Sequence, residues 1–246
     1  MKAEHSRQMR LLDLQGVDTR LDQLAHKRAH LPVRAQLADL TAKAAAAKDH
    51  LVRAQTAQSD VKREVAKADG DVQLVRDRAA RDQARLDAGT GTAKDLQAIT
   101  HELTSLARRQ AELEDIEIEV MERAERADEI VAAANAAVAD LDAQVAAASA
   151  EHDEAVGDLD AQIASVGAPR VGLTDEVGAD LLALYEKLRA SHNGVGAAAL
   201  HQRRCLGCQL QLNAADLEEI RAAAADEVIR CEECGRILVR IPESGL

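Results

Sequence analysis

Four thiols are the side chains in this sequence whose type and spacing together point to chemistry. Cys205 and Cys208 stand in RRCLGCQL, and Cys231 and Cys234 stand in VIRCEECGRILV. Each pair has two residues between its members, and twenty-two residues separate the pairs. A C-x-x-C puts two sulfurs on one tight turn, and two such turns supply four donors to a tetrahedral zinc ion, with Zn–S near ~2.3 Å. A redox dithiol needs only one such pair on a thioredoxin-like βαβ frame, and that pattern is missing here. An iron–sulfur centre takes the same ligands, and spacing alone does not separate it from zinc. Four thiolates leave no open position for water, so the reading is one structural zinc ion per chain.

The surroundings of the thiols read as a zinc ribbon over residues 199–246. Gly235 follows the second pair and can take positive φ, which turns backbone N–H groups toward sulfur. Gln209 holds the equivalent place after the first pair and suits it less well. Val228–Arg230 and Ile237–Ile241 read as two strands of a short β-hairpin whose turn is the second knuckle. Asn213, with Asp216 three residues on, predicts the N-cap of a short helix between the pairs. A segment this small has too little core to fold alone, and structural zinc supplies ~10–16 kcal/mol.

The elements that must carry this ribbon are helical. From Leu37 to Leu86 apolar positions alternate in steps of three and four, with Gln58 as a polar seam residue, and a second series runs from Leu96 to Ala148. Sustained heptads predict a coiled coil. DAGTGTAK, at 87–94, breaks the helix between them and predicts an antiparallel hairpin with arms of roughly 80–110 Å. An earlier piece, Leu14 to Leu31, is out of phase with the rest. Pro32 predicts a kink or break there, with residues 8–30 folding back near the base. The domains expected are the coiled-coil hairpin at 1–166, a hinge and short amphipathic helix at 167–198, and the ribbon. With one Tyr and no Phe or Trp, a large aromatic core is excluded, whereas helices paired along their length suit this alanine-rich chain. The fold class is mainly α.

Charge divides by arm. Residues 1–87 hold 17 Lys+Arg and 13 Asp+Glu, and residues 88–170 hold 6 and 18. Opposite signs favour pairing the arms with each other, hence a monomer or weak homo-oligomer. MKAEHSRQMRLLDLQG lacks the apolar centre of a secretory signal, and no apolar run near ~18 residues stands out. The expectation is a cytoplasmic protein away from membranes, where thiols stay reduced.

Three function classes follow. The histidines are scattered along the helices, no glycine-rich phosphate loop is present, and no nucleophile joins a base in a recognisable motif, so an enzyme is not expected. Nucleic-acid binding would fall to His201, Arg203 and Arg204 at the first knuckle and Arg230, Arg236 and Arg240 along the hairpin. Against it, residues 200–246 hold 6 Arg and 8 acids, and no aromatic platform is available to stack bases. The third class, a noncatalytic adaptor whose ribbon and coiled coil dock protein partners, is the reading adopted.

Three stretches in this order, TAKDLQAITHELTSLARRQAELEDIEIEVMER, LLALYEKLRASHNGVGAAAL and the ribbon with its CGRILV ending, carry a resemblance. The chain resembles a bacterial family of long coiled-coil hairpins capped by a four-cysteine zinc ribbon, some of whose members are linked to flagellar regulation. The resemblance implies a helical hairpin with a zinc module that binds protein or nucleic acid, with transcription machinery among the partners it suggests. Where the family usually has Lys-Glu this chain has Lys94-Asp95, and Val239 stands where an aromatic is usual, which removes a candidate stacking residue.

Overall fold

The computed structural model describes every residue, Met1–Leu246. Its elements run α1 (His5–Ala29), α2 (Pro32–Asp87), α3 (Ala93–Gly167), α4 (Arg170–Val177), α5 (Ala179–Ser191), β1 (Ala197–His201), β2 (Arg204–Cys205), α6 (Ala214–Ala222), β3 (Ile229–Arg230) and β4 (Ile237–Arg240). They form two compact units, one of Ala35–Ser149 and one of Met1–Arg34 with Ala150–Leu246.

Ala35–Ser149 is an antiparallel helical hairpin. Leu40, Ala44, Ala68 and Val72 of α2 and Ile99, Leu106, Leu113, Val120, Val131 and Ala134 of α3 are buried, and all of them lie on the two heptad series. Ion pairs fix the direction: Lys48–Asp142, Lys62–Asp128, Arg76–Glu114 and Arg78–Glu102 climb one arm as they descend the other. In each the base is on α2 and the acid on α3, as the charge split predicts. Gln58, the polar seam residue, donates to Asp128 Oδ1 at 2.6 Å.

At the turn, Gly89 and Gly91 have φ of 61° and 134°, a region open to glycine. Thr92 then starts α3 reciprocally. Its Oγ1 accepts from the Asp95 N–H at 3.3 Å, and Asp95 Oδ2 accepts from the Thr92 N–H at 2.9 Å. This is a capping box with Asp in place of the usual Glu, so the departure at Lys94-Asp95 leaves the cap intact. The hydrogen bonds from Thr92 hold the Asp95 carboxyl below its ordinary range.

A window of 18 residues in the helix beginning at Ala93 reaches a mean hydropathy of 1.3 with few charges, so by length and composition it matches a membrane span. Alanine carries the value without forming a run of large apolar side chains, which is why it does not stand out by eye.

The other unit joins α1 to the ribbon. α1 stops at Ala29, and Pro32 occupies the first position of α2, where its missing N–H is harmless. The chain therefore breaks at this proline. Leu11 and Leu14 of α1 pack with Val177, Leu181 and Tyr185 of α4 and α5 and with Ala197, Ile237 and Val239 of the sheet. Asp18, 1% exposed, is held there by three partners. Arg170 donates to its Oδ1 at 2.6 Å, Tyr185 donates its hydroxyl to Oδ2 at 2.8 Å, and Arg189 Nε lies 3.5 Å away. Burial and the Asp18 hydrogen bond push the Tyr185 hydroxyl pKa up.

The sheet runs β2-β1-β4-β3, with β1 parallel to β4 and antiparallel pairs at both margins. Its two centre strands are covered on both faces. Ile237 and Val239 point to the α1–α5 core, and Leu238 points to a second core with Leu200, Leu217 and Ile220. The β3–β4 hairpin was expected. β1 was not, because GVGAAALH is poor in β-branched residues, and its place comes from pairing with β4. Residues 167–198 also hold more than a hinge with one helix. Arg170–Val177 forms α4, since Arg170 is drawn onto Asp18, and Gly178 at φ 79° separates α4 from α5.

Candidate metal centre

Each C-x-x-C lies in a turn delivered by a short strand. β2 ends at Cys205, and β3 leads into Cys231. The two turns close alike: Gln209 N–H donates to the Cys205 carbonyl at 2.8 Å, and Gly235 N–H donates to the Cys231 carbonyl at 2.7 Å. Gly235 has φ 72°, as its chemistry allows, and Gln209 has φ 63°. The first knuckle thus adopts the glycine conformation without a glycine, at a cost of about 1 kcal/mol. The Gln209 side chain bonds back to the Leu206 carbonyl at 2.9 Å.

The four sulfurs lie within 4.8 Å of one another. Cys205 and Cys234 Sγ are 4.0 Å apart, as are Cys208 and Cys231 Sγ. A zinc tetrahedron with ~2.3 Å bonds has edges of roughly 3.8 Å, whereas a disulfide needs about 2.05 Å. The donor set fits zinc, and the thiols are unpaired. Cys205 and Cys231 are buried. Burial pushes the Cys231 thiol up to about 12 and raises Cys205 as well. Cys234 feels the same burial, but hydrogen bonds led by the Arg236 backbone N–H bring it below its ordinary value. A buried thiolate cluster of this kind needs a cation to share its charge. Gly207 N–H, donating to Cys205 Sγ at 3.3 Å, supplies further support to sulfur.

The six basic candidates have varied situations. Arg240 donates to the Ala223 and Ile220 carbonyls at 2.8 and 3.2 Å, closing the C-terminus of α6. Arg236 donates to the Val195 carbonyl at 3.0 Å, Arg230 to the Gly235 carbonyl at 2.7 Å and Arg203 to the Gly245 carbonyl at 3.0 Å. His201 is half-buried at the end of β1. Arg204 is exposed, with no side-chain partner. Most of these cations therefore already serve carbonyl groups of the fold. Val239, set where the family has an aromatic, is fully buried beneath α1 and α5. That position belongs to the core of this chain. Asp18 with Arg170, and Gln15, which donates to the Gly194 carbonyl and accepts from the Gly196 N–H at 2.8 Å each, organise the base of α1 without a sequence signal, because these pairs are more than a hundred residues apart in the chain.

Known proteins share this arrangement. Residues 14–193 match the CT398-like coiled coil hairpin domain, and residues 204–238 match the C4-type zinc ribbon domain. An uncharacterized protein of Mycobacterium tuberculosis (strain H37Rv) is 39% identical over 241 residues, 98% of each chain. A solved structure from Mycobacterium smegmatis has a TM-score of 0.84 at 37% identity, covering 98% of this chain and 100% of that one. CT398 of Chlamydia trachomatis has a TM-score of 0.68 at 18% identity, covering 96% and 98%, a likeness of fold.

Proposed function

Since this chain belongs to the CT398-like coiled-coil hairpin family and ends in a C4-type zinc ribbon, we propose that it is a noncatalytic interaction protein whose ribbon and coiled coil dock protein partners. Cys205, Cys208, Cys231 and Cys234 hold one structural zinc ion in this reading. The observation that carries it is the closed donor set: four sulfurs within 4.8 Å of one another leave no position for a reacting water. The metal therefore holds a docking module in shape. The working compartment is the cytoplasm, where such thiols stay reduced, and assemblies of the transcription machinery are the partner class to test first. Ion pairs such as Lys48–Asp142 and Arg76–Glu114 join the two arms of the hairpin, which supports a monomer or weak homo-oligomer.

A second reading, RNA or DNA binding at the ribbon, draws support from the exposed Arg204 beside the first knuckle. Co-purification from native cells, with and without nuclease, separates the two. Protein partners that survive nuclease are the expected result. Partners that vanish while nucleic acid is recovered would transfer the function to the second reading. An Arg203/Arg204 charge reversal that abolishes nucleic-acid retention with zinc content unchanged would assign that surface.

A further inference from the structure

A groove of about 460 Å³ runs between α6 and β3. Leu212, Ile220 and Ile229 are among the apolar residues that line it. Asp216, Glu219 and Glu232 line it as well, and its one base, Arg230, is turned back onto the Gly235 carbonyl.

β3 is the outermost strand of the sheet. Opposite Arg230 stands Ile237, whose N–H donates to the Gly196 carbonyl, away from β3. Cys231, the next residue, donates instead to the Arg236 carbonyl of the hairpin. Backbone groups alternate along an antiparallel ladder, so the Arg230 N–H and C=O point outward. Two residues earlier the Val228 N–H points the same way, and there it donates to the Met1 carbonyl at 3.1 Å. Lys2 bridges Glu227 in antiparallel register, with its ammonium 3.0 Å from Asp226. This edge therefore already accepts a short extended strand carrying a basic residue. At Arg230 the backbone N–H and C=O face outward without a partner in the fold, beside a groove with acidic neighbours.

We infer that this open edge and groove take an extended, basic segment of a protein partner as an added strand. The partner's backbone pairs with Arg230, alternate apolar side chains meet Leu212, Ile220 and Ile229, and lysines or arginines face Asp216, Glu219 and Glu232. This inference rests on the protein-docking reading and specifies its chemistry.

The test uses the full zinc-loaded chain and a fluorescent peptide of about eight alternating lysines and valines, a common strand length. Saturable binding by anisotropy is expected. The same peptide N-methylated on its pairing amides should bind at least about tenfold more weakly, as should a Glu219→Lys/Glu232→Lys chain of unchanged zinc content. Absence of binding, or equal affinity for the N-methylated peptide, overturns the inference without requiring any variant. Native partners retained in full by the charge-reversed chain after nuclease treatment also overturn the groove but leave the adaptor reading intact. Loss of every partner to nuclease overturns the adaptor reading itself.

Discussion

Gln209 and Asp18 show how single residues set the stability of the ribbon-bearing unit. Gln209 sits at φ 63° where the matching position of the other knuckle has Gly235 at 72°. Gln209→Gly should stabilise the ribbon by about 0.5–1 kcal/mol, less the lost bond to the Leu206 carbonyl. Slower zinc release to a chelator would show it; faster release would mean that the side-chain bond outweighs the strain. Asp18 carries the opposite prediction. Asp18→Asn leaves Arg170 and Arg189 beside a neutral amide and should cost about 2–3 kcal/mol, below the range for a fully buried pair because Arg170 is partly solvated. Tyr185, the single aromatic residue and wholly buried, reports this directly as a lower urea midpoint of its fluorescence. An unchanged midpoint would mean that the Tyr185 and Arg170 contacts contribute little net stability.

At the scale of elements, the coiled-coil arms were legible because their physics is periodic. The break at Pro32, the turn at 87–94 and the heptad seams all follow from local chemistry that needs no distant partner. The cap of α3 belongs here too. Thr92→Ala removes the acceptor for the Asp95 N–H and should lower hairpin stability by about 1 kcal/mol, read as a drop in thermal midpoint at 222 nm. Thr92→Asp should restore it, since both side chains accept that bond. β1 and α4 behave differently. Alanines specify no strand, and Arg170–Val177 carries no strong helical pattern, so their conformations come from β4 and from Asp18. Gly196 marks the same point: a Cβ there would lie 2.6 Å from the Tyr185 carbonyl, a contact that no local pattern announces.

For the whole molecule, zinc and the hairpin should be separable. The second core, with Leu200, Leu217 and Ile220, contains Cys205 and Cys231, one cysteine from each knuckle, and all its residues lie between Ala198 and Leu238. Removal of zinc by a strong chelator should open the ribbon to protease near α6 while most helical ellipticity persists. Collapse of the full helical signal would show that the hairpin depends on the metal. Replacing Cys231 should reproduce the chelated state, with zinc content falling from one ion per chain to none.

The sequence by itself determined the mainly helical hairpin, its turn, the break at Pro32, the ribbon and its four thiols. Each of these is encoded within a few residues, as heptad spacing, helix-breaking residues or paired C-x-x-C. Tertiary structure alone decided where α1 lies, which partners hold Asp18, that β1 runs parallel to β4, and that Arg203, Arg230, Arg236 and Arg240 serve backbone carbonyls. It also decided that the edge of β3 is open beside a groove with acidic neighbours. These outcomes depend on contacts between residues far apart in the chain, and burial and hydrogen-bond partners exist only once the chain has folded.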